Sequence, residues 1–149
     1  MHELRANLMW IGNALDARDP RQVLDNEISA IVDLAYEEAA AQLPRQLTYC
    51  RFPLNDGGGN PVNLIVQALQ TTTGLIRKGI PTLVSCSAGM SRSPTIAAFA
   101  LALLDDKEPR ICIAEIGRIR SLELKPQLWA DVENAFQIIQ SQADSGFSP

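Results

Sequence analysis

The sequence predicts a single α/β domain, in which helices flank a central, mostly parallel sheet of about four to five strands. Short apolar segments of strand length alternate along the chain with segments of helical periodicity, which is the pattern of an α/β layer structure. The length of 149 residues is that of one ordinary domain, 1–149. The hydrophobic fraction of 46% and the charged fraction of 20% are average for globular proteins, which excludes disordered, collagen-like and coiled-coil chains.

The first half of the chain is predicted to hold three strands and two helices. The segments with apolar, β-branched or aromatic strand composition are 8–12, 28–34 and 47–52. Asp19 and Pro20 are typical of the first turn of a short helix, and 36–43, which is rich in Glu and Ala, has helix-forming composition. Three consecutive glycines make 54–61 a loop.

The second half is predicted to hold one short buried strand, 81–84, among helices. The segments with helical spacing of apolar residues are 61–78, 93–106, 111–122 and 127–140. Lys125 and Pro126 separate the last two helices. The polar segment 141–149 is predicted to be a loose tail.

Charge, cysteine content and hydropathy limit the partners and the compartment. With 13 basic and 17 acidic residues the net charge is -4, so the chain has no overall field that attracts nucleic acid or anionic lipid, and an anion site must be local. The three cysteines, Cys50, Cys86 and Cys112, are typical of free thiols in a reducing compartment, and we expect a cytoplasmic protein. The longest apolar stretch, 96–104, is about half the roughly 20 residues of a membrane span, so no membrane association is expected.

The only histidine, His2, stands at an N-terminus that we expect to be frayed. Ser-His-Asp and Cys-His catalysis and His-rich metal sites therefore have almost no residues to draw on, and no metal site is expected. An enzyme with this sequence works without histidine.

One segment combines residues that bind an anion with a nucleophile. The strand 81–84 runs directly into a loop, and a helix begins where the loop ends, so successive backbone N–H groups and the helix dipole can converge on one point. The predicted phosphate-binding residues are those of the loop and the arginine after it: Ser87, Ala88, Gly89, Met90, Ser91 and Arg92. Cys86 stands at the floor of this site, where the same field favours the thiolate and makes it a nucleophile.

Three residues around Cys86 support this chemistry. Arg92, six residues further on, can bind two oxygens of a tetrahedral anion with its guanidinium fork. Gly89 relieves the turn in the middle of the loop. Ser93 can donate a hydroxyl hydrogen bond to the sulfur when the sulfur acts as a leaving group.

The pattern Cys86-x5-Arg92-Ser93 after an apolar strand resembles the signature loop of the cysteine-dependent phosphatases, and the loop is most similar to that of the small dual-specificity protein phosphatases. The resemblance extends to 10–14, to 53–56 and to 125–129, which match the family's opening strand, general-acid segment and closing segment. It implies that Asp56 is the proton donor; the residue alone, before three glycines, is more typical of a turn. The family usually has His before the cysteine, and Ser85 departs from it there, which bears on rate and pH optimum.

The resemblance implies removal of phosphate from phosphorylated Tyr, Ser or Thr of proteins through a phosphocysteine, without metal or cofactor. One alternative is a phospho-residue-binding module without turnover, which only Ser85 favours. Another is a phosphatase for a glucan or nucleic-acid phosphate; phosphoinositides rank lower because the loop has no lysine. A third is a sulfurtransferase with a persulfide on Cys86, which would leave Arg92 and Ser93 unexplained.

The remaining chemically capable residues have structural interpretations. Cys50, Cys112, Trp10 and Trp129 stand among apolar residues and are predicted to be core side chains, although a redox partnership of either cysteine with Cys86 stays open. The acids interpreted as solvated helix faces and termini are Glu37, Glu38, Asp105 and Asp106.

Overall fold

Five strands form one sheet in the computed structural model, which describes residues 1–145. The strands are β1 (His2–Arg5), β2 (Met9–Gly12), β3 (Ala30–Ala35), β4 (Thr48–Leu54) and β5 (Thr82–Ser85). Their order across the sheet is β1-β2-β5-β3-β4. Only β1 is antiparallel to its neighbour, and the other three pairings are parallel. The predicted α/β class with a mostly parallel sheet is confirmed.

The helices lie between β2 and β3, between β4 and β5, and after β5. They are α1 (Ala14–Ala17), α2 (Pro20–Asp25), α3 (Val62–Arg77), α4 (Arg92–Asp105), α5 (Pro109–Gly117) and α6 (Pro126–Asp144). The Asp19 side chain accepts from the Gln22 amide at the start of α2, as the Asp-Pro pair predicts. Between residues 1 and 145, no helix is both long and apolar enough to cross a bilayer.

Two predicted helix ends differ from the structure. Helix α5 ends at Gly117, five residues before the predicted end, and α6 continues to Asp144, into the segment predicted as a loose tail. The continuation of α6 places polar residues on a helix that already packs its apolar face on α3 and α4. The rest of the predicted tail, 146–149, lies outside the described residues.

The three central strands of the sheet, β2, β5 and β3, are buried on both faces. Side chains alternate along each strand, so Val32 and Val84 pack with the layer that contains α3 to α6, whereas Ile31, Leu83 and Trp10 pack with α1 and α2. Strands covered on both faces have apolar residues in succession, which is the composition that predicts them. Strand β5 lies in the middle of the sheet, so the loop after it opens at the carboxyl edge, where α/β sheets offer binding crevices.

The prediction of a helix over 36–43 is wrong, because this segment is an extended and turning connection. Its backbone carbonyls are bound by arginines of the body of the protein: Arg51 donates to the carbonyl of Glu38, and Arg18 donates to that of Ala39 (2.8 Å). These tertiary hydrogen bonds occupy groups that a helix would have used internally, and they override the helical propensity of Glu and Ala.

The expectation of a frayed N-terminus is also wrong. Strand β1 pairs with β2, and the N-terminal amine forms an ion pair with Asp16 at 3.2 Å. The ring Nδ1 of His2 lies 3.2 Å from Nη1 of Arg120, which brings residues 118 positions apart into contact. Strand pairing orders this segment, and its apolar side chains, Met1 and Leu4, are only partly buried against the core, so its composition gives little indication of a strand.

Candidate active site

A cavity of about 340 Å³ opens where β5 ends and α4 begins. Five of the predicted phosphate-binding residues line it together with Cys86: Ser87, Ala88, Met90, Ser91 and Arg92. Four acidic residues complete the lining: Glu37, Glu38, Asp56 and Glu123. The structure thus brings Cys86, Arg92 and Asp56 to one cavity. Gly89 and Ser93 are buried and do not line it.

The Cys86 sulfur is held at the start of α4. Its residue is 2% exposed, and the backbone N–H of Ser93 donates to the sulfur at 3.4 Å. This N–H belongs to the first turn of the helix, where amides have no intrahelical acceptor. The Ser93 hydroxyl lies 3.3 Å from the sulfur and 3.4 Å from the carbonyl oxygen of Gly12. The hydroxyl has one hydrogen. It can donate that hydrogen to the Gly12 carbonyl while Cys86 is a thiol, and to the sulfur when Cys86 is a thiolate.

The shape of the Cys86 loop (residues 86–91) depends on Gly89. Its φ of +71° is in the left-handed region, and a Cβ there would stand 2.9 Å from the carbonyl carbon of Gly12. Arg120 donates to the carbonyls of Gly89 and Ala88, the latter at 2.7 Å. The amides of 87–91 donate to no acceptor within residues 1–145, so the loop offers them to an anion.

Arg92 is fixed in orientation with one donor free. It is 3% exposed, and its Nη1 donates to the carbonyl of Leu54 at 2.7 Å. The Glu37 carboxylate binds both terminal nitrogens, with distances of 2.6 Å (Nη2–Oε1) and 3.2 Å (Nη1–Oε2). Among the described residues, the buried Nε has no hydrogen-bond partner. A buried donor without an acceptor is costly, which indicates that the cavity receives an anion.

The segment that carries Asp56 is ordered by a buried amide side chain. The Oδ1 of Asn60 accepts from the Asn55 amide at 2.8 Å, and its Nδ2 donates to the carbonyls of Asn55 and Gly57, both at 3.1 Å. These bonds close the loop that the three glycines predicted. The bond from Arg92 to Leu54 fixes the start of this loop, two residues before the exposed Asp56.

The interpretation of Glu37 as a solvated helix face is wrong. Besides binding Arg92, its carboxylate accepts from the Ser87 hydroxyl at 2.5 Å. Partial burial by itself would raise the pKa of Glu37, but the hydrogen bonds from Arg92 and Ser87 outweigh it and lower that pKa. Glu38 is not on a helix either, and it pairs with Arg18 at 3.2 Å.

Sequence reasoning therefore missed Glu37, and it also missed Arg120. Both reach the Cys86 loop from distant parts of the chain, so no local spacing could have identified them. Asp105 and Asp106, in contrast, do stand at the end of α4 as predicted.

The other cysteines and the tryptophans lie away from this cavity. Cys50 is half-buried in β4 and Cys112 is buried in α5, and burial raises the pKa of both thiols. Trp10 is 4% exposed, and the ring of Trp129 packs on Phe99 with centroids 4.7 Å apart. Over residues 1–145, no group of three or more His, Cys, Asp or Glu side chains is arranged to hold a metal ion.

Comparisons of sequence identify relatives, although no protein-family model matches the chain. Dual specificity protein phosphatase 22-B of Danio rerio is 33% identical over 92 residues, which is 59% of this chain and 48% of that protein. Dual specificity protein phosphatase 15 of Mus musculus is 32% identical over 89 residues, which is 59% of this chain and 37% of that protein. The chain thus spans half the length, or less, of these curated relatives.

Solved structures share the fold over nearly the whole chain. Human DUSP28 superimposes with a TM-score of 0.79 and 18% identity, over 93% of this chain and 96% of that one. The structure of PTPMT1 in complex with PI(5)P superimposes with a TM-score of 0.74 and 17% identity, over 95% of this chain and 97% of that one. DUSP15 superimposes with a TM-score of 0.76 and 22% identity, over 99% of this chain and 97% of that one. The likeness that the Cys86 loop predicted is confirmed: the chain is similar in sequence to dual specificity protein phosphatases, and it shares the fold of DUSP28 and DUSP15.

Proposed function

We propose that the protein removes phosphate from phosphorylated Tyr, Ser or Thr residues of other proteins. One observation carries the proposal: a buried arginine with a free donor, a sulfur at a helix start and an exposed carboxylic acid line one cavity. These are Arg92, Cys86 and Asp56. Together they supply the anion site, the nucleophile and the proton donor that hydrolysis of a phosphate ester requires.

In the first step the Cys86 thiolate attacks phosphorus. The S–P bond forms, the P–O bond to the substrate breaks, and protonated Asp56 donates its proton to the leaving oxygen. Arg92 and the free amides of 87–91 stabilise the charge on the phosphoryl oxygens. The product of this step is a phosphocysteine and the free hydroxyl of the substrate.

In the second step water attacks the phosphocysteine. The Asp56 carboxylate accepts a proton from the water, the P–S bond breaks, and phosphate leaves. The Ser93 hydroxyl, 3.3 Å from the sulfur, donates to the departing thiolate. No step of this route requires a metal or a cofactor.

Two other functions have a specific observation in their favour. PTPMT1, whose fold is similar, is solved in complex with PI(5)P, which favours a non-protein phosphate as substrate. The family histidine is replaced by the buried Ser85, which favours a module that binds phosphorylated residues without turnover. The first function predicts greater activity on phosphoinositides than on phosphopeptides, and the second predicts binding alone.

The proposal is tested by hydrolysis of a simple aryl phosphate. We expect the wild-type protein to turn over, and we expect Cys86→Ser to reduce the rate to that of buffer while inorganic phosphate still binds. The control is Cys50→Ser, which makes the same change in β4 outside the cavity and keeps wild-type turnover. Undiminished hydrolysis by Cys86→Ser would exclude Cys86 as the nucleophile. If the wild-type protein binds phosphopeptides without turnover, the result would favour the binding module.

A further inference from the structure

The mouth of the Cys86 cavity is lined by more acidic than basic side chains. We call Glu37, Glu38, Asp56 and Glu123 the acidic rim. These residues come from three separate segments, and Arg92 is the one cation among the side chains that the structure describes as lining the cavity. A cavity for a phosphate is thus surrounded by carboxylates.

Two members of the rim have cationic partners and two do not. Glu37 pairs with Arg92, and Glu38 pairs with Arg18 at 3.2 Å. Asp56 and Glu123 are exposed, and within residues 1–145 neither forms an ion pair. Because Glu37 already compensates the Arg92 charge, Glu123 adds negative charge to the mouth that no basic side chain of residues 1–145 compensates.

The position of Glu123 is fixed relative to the floor of the cavity. Its backbone N–H donates to the carbonyl of Met90 at 2.9 Å, so the residue is attached to the Cys86 loop itself. Its carboxylate belongs to neither the nucleophile, the proton donor nor the anion site. The charge of the Glu123 carboxylate therefore attracts or repels the groups of the substrate that lie beside the bound phosphate.

The floor of the same cavity requires an anion. The Nε of Arg92 and the Oγ of Ser91 have no partner among the described residues, although both residues are more than nine-tenths buried. A ligand that satisfies the floor is repelled by the rim, unless it carries a positive charge next to its phosphate.

We propose that the acidic rim selects phosphorylated protein segments with Lys or Arg next to the phosphorylated residue. This inference rests on the phosphatase function proposed above and names its substrate class. Lys and Arg side chains on either side of the phosphorylated residue are long enough to reach a carboxylate at the mouth while the phosphate stays on the floor. The rim disfavours polyanionic substrates, of which phosphoinositides are one class, because they bring further negative charge to the mouth.

The test uses three phosphotyrosine peptides that differ only in the two residues beside the phosphotyrosine: Lys, Gln or Glu. We expect kcat/KM to fall in that order, by about tenfold from Lys to Glu at low salt, since each exposed charge contact contributes about two- to fivefold. The preference should weaken as the ionic strength rises. An aryl phosphate, which has no flanking group, measures the phosphatase reaction separately.

Variants of Glu123 assign the preference to the rim. Glu123→Gln should reduce the ratio of the Lys to the Glu peptide by about threefold and leave aryl phosphate hydrolysis unchanged. Glu123→Lys should reduce the ratio further. The control, Glu133→Gln, makes the same change on α6 beside a different cavity and should leave the ratio as in the wild type.

Equal kcat/KM for the three peptides would overturn the inference while aryl phosphate turnover leaves the phosphatase function standing. Faster hydrolysis of PI(5)P in phosphatidylcholine vesicles than of the Lys peptide would also overturn it. Absence of aryl phosphate turnover would overturn the proposed function and the inference with it.

Discussion

The floor and the rim of the cavity are built in opposite ways. The floor, Cys86 to Ser93, is one run of chain, and its three chemically active side chains, Cys86, Arg92 and Ser93, are each at most 3% exposed. The acidic rim comes from distant segments, and Asp56, Glu123 and half of the Glu37 side chain are exposed. Buried contacts hold the floor in one arrangement, whereas the side chains of Asp56 and Glu123 on the rim are exposed to solvent.

This difference predicts a gradient of effects. A change in the floor should remove the reaction or the fold for every substrate, because Cys86, Arg92 and Ser93 are buried and hydrogen-bonded to one another or to the segments around them. A change in the rim should alter which substrate is used. Asp56 is the exception, because it lies on the rim and is also the proposed proton donor of the reaction.

The largest effect is expected for Arg92→Lys. Lysine keeps the charge but loses the fork that binds two oxygens, and it cannot reproduce the bonds to Leu54 and Glu37. We expect kcat on an aryl phosphate to fall by about 10²- to 10³-fold, the range for loss of a transition-state donor. Arg110→Lys, at the ring of Trp129, is the matched control. A kcat near that of the wild type would show that the guanidinium does not stabilise the reaction.

Asp56→Asn is expected to depend on the leaving group. With an alkyl or unactivated phenyl phosphate, kcat should fall by about 10²-fold, since no proton is donated to the leaving oxygen. With a nitrophenyl phosphate, whose leaving group needs no proton, the first step should change little. Asp25→Asn, at the end of α2, serves as the control. An equal effect on both substrates would mean that Asp56 belongs to the rim alone and that another group donates the proton to the leaving oxygen.

Gly89→Ala separates packing from backbone strain. The added Cβ meets the Gly12 carbonyl at 2.9 Å, and φ is +71°. Gly59→Ala has the same kind of strain, with φ of +83°, but its Cβ meets nothing within 4 Å. We expect the free energy of unfolding in urea to fall by about 2 kcal/mol for Gly89→Ala and by about 1 kcal/mol for Gly59→Ala. Equal losses would mean that the Cys86 loop yields to the new methyl group.

Glu37→Gln should give the smallest effect, and one that depends on pH. The folded pKa of Glu37 is below its ordinary value of 4.5, so the ionised carboxylate stabilises the fold fully above that value. The contribution is lost as the pH falls through the lowered pKa. Because the side chain is half exposed, we expect a loss of about 0.5 kcal/mol at neutral pH.

Unfolding of the Glu37→Gln and wild-type proteins, measured from neutral to strongly acidic pH, checks this. The difference between the two proteins should be constant at neutral pH and vanish in strong acid. Glu27→Gln, in the turn after α2, gives the background dependence of an exposed carboxylate. A difference that grows toward low pH would contradict the pairing with Arg92.

The contrast between floor and rim also separates what the sequence could predict from what it could not. The buried strand, Cys86, Arg92 and the start of α4 lie within a dozen residues, so local spacing was enough to predict their arrangement. Glu37 acts on Arg92 from 55 positions away, and helical composition concealed it. Arg120 likewise binds the loop across about 30 positions. Asp56 is identified through a resemblance and not from its own surroundings, which are more typical of a turn.

The central claim is that the floor performs the chemistry through a covalent intermediate on Cys86. Rapid mixing with excess nitrophenyl phosphate, acid quenching and mass spectrometry of the digested protein tests this directly. We predict phosphate on the peptide that contains Cys86, in larger amount in Asp56→Asn because the second step then lacks its base, and none in Cys86→Ser. Turnover with the phosphate on another residue, or with no phosphorylated peptide in either active protein, would contradict the account.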